Sequence, residues 1–165
     1  KNVATLIRAF NTYCERFPER AERLVLVGNP LHRDAELEAL ARTSGPRVVW
    51  AGRAEGGELN ALYAGALAFA FPSRFEGFGI PLVEAMASGC PVLSSNASCM
   101  PEIAGEAARY ANPDSVDEWV NLLHRAATED PAPWIARGLE RATHFSWDRS
   151  AEVVRQTLQT LNPNP

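Results

Sequence analysis

The chain has 165 residues, of which 46% are hydrophobic and 22% charged, and a net charge of -4. That is the composition of one globular domain, long enough to bury its own core without staples. The acidic balance lacks the basic footprint of a nucleic-acid binder, and no apolar run approaches membrane-spanning length. In chain order, Asn2 is placed to cap a helix with the apolar face Val3, Leu6, Ile7, Phe10, Cys14 and Phe17. Leu24 to Val27 reads as a short strand ended by Gly28-Asn29-Pro30, and Asp34 as the cap of a helix with Leu37 and Leu40 inward. Arg47 to Ala51 is the next strand, and Leu59, Leu62, Tyr63 and Ala66 mark a short helix. Leu67 to Phe71 is wholly apolar, the pattern of a strand buried on both faces. A Gly-rich turn and helix follow at 76–88, then strands at 91–94 and 107–111 on either side of a short helix closed by Gly105. Ser115 and Glu118 form a capping box, and the helices at 131–142 and 146–161 close the chain, with only the last residues, 162–165, expected to be loose.

Strands alternating with helices imply a Rossmann-like, doubly wound parallel sheet covered on both faces. One feature is odd, because the chain opens on a helix. In the strand order 3-2-1-4-5-6 the first strand is central, so the expected central strand lies upstream of Lys1 and is missing here. Leu24 to Val27 and Leu67 to Phe71 are then its two neighbours. Cys14, Cys90 and Cys99 are odd in number and match no zinc spacing, so they read as free thiols in a reducing, cytoplasmic compartment. His32, His124 and His144 are scattered surface residues, while Trp50, Trp119, Trp134 and Trp147 read as core. Asn96-Ala97-Ser98 fits a glycosylation pattern by chance.

The stretch that carries chemistry runs from Phe71 to Ser94. An apolar strand ends at Pro72, and Gly77 and Gly79 free the backbone for close approach to a ligand. Pro81 suits a first helical turn. Gly77, Phe78, Gly79 and Ile80 thus offer N–H groups at a helix N-terminus beyond a strand's carboxyl end, where open α/β sheets bind anions and nucleotides. Alone, that turn is equally a tight strand-to-helix connection. Two acids shift the balance. Glu76 precedes the turn and Glu84 lies about one turn inside the helix, so two hydroxyl-accepting carboxylates flank one anion site. A nucleotide-sugar has that layout, with hydroxyls at both ends and phosphate between.

The pattern Phe-Pro-Ser-x-x-Glu-Gly-Phe-Gly-Ile-Pro-x-x-Glu-Ala-Met-Ala-x-Gly-x-Pro-Val resembles the signature of glycosyltransferase family 4, retaining enzymes of the GT-B fold. Lys1-Asn2 before an amphipathic helix, Leu24 to Gly28, Val48 to Gly52 ahead of Glu58-Leu59, Met100-Pro-Glu-Ile-Ala-Gly and Phe145-Ser-Trp extend the resemblance over nearly the whole chain, above all to bacterial mannosyltransferases of surface polysaccharides. The resemblance implies that residues 1–165 are the C-terminal, donor-binding half. Helices 131–161 would pack on or toward an absent N-terminal domain. It implies that Glu76 accepts from hydroxyls of the transferred sugar, that the amides of Gly77, Phe78 and Gly79 face sugar and diphosphate, and that Glu84 holds the ribose. Lys1 matches a diphosphate-contacting lysine whose partner arginine, a few residues upstream in the family, is not in this chain. Gly52 and Arg53 stand where the family holds the nucleobase, with Arg53 either stacked on the base or an exposed loop arginine. Ser73 either approaches phosphate or is the small residue that a tight turn needs.

The resemblance also implies metal-independent transfer of a hexose, mannose favoured, from GDP-mannose or a UDP-sugar, with retained configuration and no cofactor. The acceptor is a saccharide or lipid-linked glycan held by the absent half, and only the full-length protein would sit peripherally on the inner membrane. Glu76 is the one candidate nucleophile for a double displacement, and a positioning role suits it better. Two other readings stand beside this one. One is a nucleotide-sugar binding module without transfer. The other is a different GT-B enzyme, such as a sugar-nucleotide epimerase, against which the glutamate pair around Gly-Phe-Gly argues.

Overall fold

A computed structural model describes residues 1–28 and 35–161. Elements alternate along the chain: α1 (Val3–Arg16), β1 (Leu24–Val27), α2 (Ala35–Thr43), β2 (Val48–Gly52), α3 (Gly56–Gly65), β3 (Phe69–Phe71), α4 (Ile80–Ala87), β4 (Val92–Ser95), α5 (Met100–Ala104), β5 (Ala108–Ala111), α6 (Val116–Thr128), α7 (Ala132–Ala142) and α8 (Trp147–Leu161). Every strand pairing is parallel. The expected α/β class is therefore what the chain adopts. The Asp34 cap, His32, Asn29-Pro30 and the tail 162–165 lie outside the described residues.

The strands form two sheets, β1-β2 and β3-β4-β5. Neither β1 nor β3 has a second neighbour among the described residues, and Val25 and Ala68 do not face each other across a hydrogen-bonded ladder. That is the split the order 3-2-1-4-5-6 demands of its second and fourth strands. The expectation of burial at those edges fails, however. Val25, Val27 and Leu67 are exposed, with no strand beyond β1 or β3 among the described residues, and β3 is shorter than Leu67 to Phe71. The sheets share a helical layer. Leu6, Phe10 and Tyr13 of α1 and Trp119 and Val120 of α6 form one core with Leu24 and Val48 from one sheet, Ala70 and Leu93 from the other, and Ala68 just ahead of β3.

The opposite face of β3-β4-β5 is covered by α3, α4 and α5. Tyr63, Leu82, Ala85, Met86, Met100 and Ile103 pack there on Phe71, Val92 and Ala108. Val92 thus points to one core and Leu93 to the other, the period-2 alternation of a strand buried on both sides. Burying a side chain such as Leu82 stabilises by about 1.5–3 kcal/mol. The α7 backbone closes on α4 at Gly138, where a Cβ would stand 3.5 Å from Met86.

Several local expectations need correction. Trp119 is core, but Trp147 is 83% exposed and Trp50 lies at the surface, its indole N–H donating to the Gly28 carbonyl at 2.9 Å. Trp134 is half-buried beneath the guanidinium groups of Arg109 and Arg137. His124 is not simply a surface residue, since its ring stacks on Phe17 at 4.1 Å. The capping box is half made: Ser115 Oγ accepts from the Glu118 N–H, while the Glu118 carboxylate accepts from the Asn112 N–H. No residue of α8 is buried; its apolar face, Trp147, Val154, Leu158 and Leu161, is open.

Candidate functional site

The site forms at the carboxyl ends of β3, β4 and β5, where the loops 72–79, 96–99 and 112–115 meet the start of α1. Asn2 ties two of them. Its side-chain amide donates to the Pro72 carbonyl at 3.0 Å and to the Pro113 carbonyl at 2.7 Å. It stands at the N-terminus of α1 but makes no side-chain cap, contrary to expectation. Its backbone is left-handed, and its Oδ1 is taken by the Thr5 hydroxyl at 2.8 Å. Asparagine is one of the few side-chain-bearing residues that tolerates this conformation.

Holding Asn2 there delivers Lys1. Its ammonium meets Glu76 Oε1 at 2.6 Å, 75 residues away in sequence, and lies 5.5 Å from the centre of the Phe71 ring. The Lys1 side chain is 65% exposed and that of Glu76 16%, so the pair sits at the mouth of the site. Burial pushes the Glu76 carboxyl up, but the Lys1 charge and the Ser73 hydroxyl outweigh it and hold the group below the ordinary carboxylate range. Glu76 is therefore ionised at neutral pH. The Ser73 hydroxyl is sealed from solvent without a well-directed hydrogen-bond partner. Ser94 and Ser95 are equally buried, and Ser95 Oγ donates to the Ser73 carbonyl at 2.5 Å, so they support the loop from behind.

The turn itself is built as glycine requires. Gly79 precedes α4 with φ 90°, a left-handed conformation that a side chain resists, and Pro81 follows within the first turn. Among the described residues, no hydrogen bond takes up the N–H groups of Gly77, Phe78, Gly79 or Ile80. Four unspent donors at the positive end of the α4 dipole, next in the chain to the Glu76 that Lys1 meets, are an arrangement suited to an anion. Aromatic side chains lie close by in the chain: Phe75 is 81% exposed, and Phe78 meets Phe145 edge-on with ring centres 5.7 Å apart.

Glu84 is half-buried on α4 and accepts a hydrogen bond from the Tyr63 hydroxyl at 3.3 Å. Burial, and next the Glu84 charge, push the Tyr63 phenol well above its ordinary pKa, so it stays a donor. The sequence offered Tyr63 only as one apolar mark on a helix; nothing in its spacing shows that α3 packs over α4. Gly52 and Arg53 lie on the other sheet. Gly52 is left-handed, with its carbonyl taken by the Gly28 N–H at 2.7 Å. Arg53 is an exposed loop residue paired with Glu55. Lys1, Ser73, Glu76 and the Gly77–Ile80 turn thus converge, while Gly52 and Arg53 make no contact with them. Among the described residues no cluster of His, Cys, Asp and Glu could hold a metal ion, and no helix is long and apolar enough to cross a membrane.

Known proteins share this frame. Residues 1–129 match the family model described as glycosyl transferases group 1. O-antigen chain mannosyltransferase B of Escherichia coli is 40% identical over 107 residues, 64% of this chain and 26% of that protein. The serotype-specific mannosyltransferase WbdA of the same organism is 32% identical over an alignment of 176 residues, 98% of this chain and 20% of the relative. The chain therefore spans about a quarter or less of the length of these curated relatives. Among solved structures, the C-terminal domain of the glycosyl transferase group 1 family protein LpcC from Francisella tularensis superimposes with a TM-score of 0.73 at 25% identity, covering 87% of this chain and 78% of that one. The fold is that of the C-terminal domain of GT-B glycosyltransferases, and the chain belongs to the glycosyl transferases group 1 family.

Proposed function

We propose that this chain is the donor-binding half of a retaining glycosyltransferase. It would move a hexose, with mannose favoured, from a nucleoside diphosphate sugar to a saccharide or lipid-linked acceptor. The observation that carries this reading is the Lys1–Glu76 pair beside the four free N–H groups of the Gly77–Ile80 turn. A cation and unspent amide donors suit a diphosphate. An adjacent ionised carboxylate suits the hydroxyls of the sugar attached to it. The names of the two Escherichia coli relatives favour mannose.

In this reading the amides of Gly77, Phe78 and Gly79 and the α4 N-terminus hold the diphosphate, and Lys1 lies between it and Glu76. As the bond to the anomeric carbon breaks, charge grows on the leaving phosphate, and these fixed donors stabilise it without a metal. Glu76, tied to Lys1, is poorly placed to attack carbon and instead positions the sugar. Retention then comes from attack on the face that the phosphate leaves. Glu84, oriented by Tyr63, holds the ribose hydroxyls, and the backbone near Gly52 meets the base. The open face of α8 packs against the acceptor-binding half.

The test supplies the enzyme carrying this chain with GDP-mannose, GDP-glucose, UDP-glucose and UDP-galactose and a lipid-linked saccharide. The product's anomeric configuration is read by NMR. Transfer with an inverted anomeric centre, or hydrolysis and epimerisation without transfer, rejects the proposal.

A further inference from the structure

Two residues other than glycine have a positive φ among those described, Asn2 at 57° and Ser98 at 54°. Both hydrogen-bond to the same short loop, at opposite ends. Asn2 reaches the Pro72 carbonyl at its start. Ser98 Oγ donates to the Glu76 carbonyl at 3.0 Å and accepts from the Glu76 N–H at 3.4 Å, so one hydroxyl engages both backbone groups of that residue. Cys99 Sγ adds a contact to the same carbonyl at 3.3 Å. The left-handed region is strained for a side-chain-bearing residue and persists only where surrounding contacts impose it. Here the strain is not scattered. It sits at the two residues that hold the start and the end of the loop from Pro72 to Glu76, whose carboxylate meets Lys1. Beneath the loop, Ser95 Oγ holds the Ser73 carbonyl.

Resting on the proposed role of Glu76, we infer that Asn2 and Ser98 are positioning residues that clamp loop 72–76 and fix the Glu76 carboxylate for catalysis. Neither touches the reacting atoms. Ser98 fixes the backbone from which the carboxylate hangs. Asn2 fixes the loop's origin and, through its left-handed turn, aims Lys1 at Glu76. A carboxylate that positions a sugar must be held within a fraction of an ångström, because a misplacement of about 1 Å can cost roughly a hundredfold in rate. A glycine at Ser98 would relieve the strain and cost the fold little, while a glycine at Asn2 would set that relief against three lost hydrogen bonds. The side-chain hydrogen bonds are what a glycine cannot supply.

That difference supplies the test. Both glycine variants keep a backbone that accepts positive φ; Ser98→Gly removes only the bonds to Glu76, whereas Asn2→Gly also gives up the bonds to the Pro113 carbonyl and the Thr5 hydroxyl. In the enzyme carrying this chain, assayed with whichever of GDP-mannose, GDP-glucose, UDP-glucose and UDP-galactose the wild type turns over fastest, kcat should fall roughly tenfold or more. KM for the donor should stay within about twofold. In Ser98→Gly the melting temperature should hold or rise, and in both variants the Glu76 amide should exchange its hydrogen faster. A merely structural pin predicts the reverse, a lower melting temperature with kcat intact. Unchanged kcat in both glycine variants, alongside a Glu76→Gln variant that is impaired, overturns the clamp and leaves the role of Glu76 standing. If Glu76→Gln is itself as active as wild type, the underlying reading fails instead.

Discussion

Adding one methyl group at Gly77 and at Gly79 should have opposite consequences. At Gly79 the backbone is left-handed, with φ 90°, and an added Cβ would lie 3.2 Å from Leu82 Cδ1 and 3.8 Å from the Phe71 ring. Leu82 is fully buried, so it cannot swing into solvent. The left-handed backbone costs an alanine about 1–2 kcal/mol, and the crowding adds about 1 more. Gly79→Ala should therefore lose about 2–3 kcal/mol, lowering the melting temperature of a chain this size by about 5–10 °C. Gly77 has no positive φ, and a Cβ built there meets nothing within 4 Å. Gly77→Ala should leave stability within about 0.5 kcal/mol of wild type. The open space it enters is where the proposed diphosphate lies, so binding of a nucleoside diphosphate should weaken at least about tenfold. Urea unfolding and calorimetry with GDP and UDP, both on this chain, read the two effects separately. If Gly77→Ala binds as well as wild type, or destabilises as much as Gly79→Ala, the ligand does not lie over this turn.

The two acids should separate as well. Glu84→Gln should weaken binding of the bare nucleoside diphosphate roughly tenfold, because a neutral amide is the poorer acceptor for ribose hydroxyls. Glu76→Gln should spare that binding and lower turnover, so equal losses by calorimetry refute the division. Turnover by the enzyme carrying this chain should survive EDTA, and complete loss restored by magnesium or manganese would sink metal independence. This chain alone should bind nucleoside diphosphates weakly and transfer nothing, so any sugar transferred by it in a radiolabel assay counts against the reading. Burial lifts the Cys90 thiol to about 11. Its folded pKa is thus above the unfolded one, so the stability it contributes is complete below the ordinary thiol range and is lost as pH rises through about 11. Iodoacetamide at neutral pH should leave Cys90 unmodified until the chain unfolds, as mass spectrometry of digests would show. Glu76 runs the other way. Its pKa is lowered, so its contribution is present above the ordinary carboxylate range and is lost as pH falls through the folded value. The stability difference between wild type and Glu76→Gln should vanish in acid.

The sequence by itself determined the alternation of elements and the parallel pairing of the strands, and it marked the turn at which the candidate site is drawn. These are recorded locally, in the period of apolar residues, in Gly79 and Pro81 at the start of α4, and in the spacing of Glu76 from Glu84. It also led to the expectation, met in the structure, that β1 and β3 are not paired with each other. What it could not show depends on which distant segments touch. Leu67, Val25 and Val27 are as apolar as any buried strand residues, yet exposure is set by neighbours, and none among the described residues covers them fully. Trp147 reads as core by its size, but the face of α8 on which it lies has no partner among the described residues. The arrangement at the site is likewise tertiary. Lys1 reaches Glu76 across 75 residues and Tyr63 reaches Glu84 across 21. Ser98 and Asn2 hold their loop through left-handed backbones that no side chain advertises in advance. A positive φ at a serine is imposed by contacts made elsewhere in the fold, so only the folded chain reveals it.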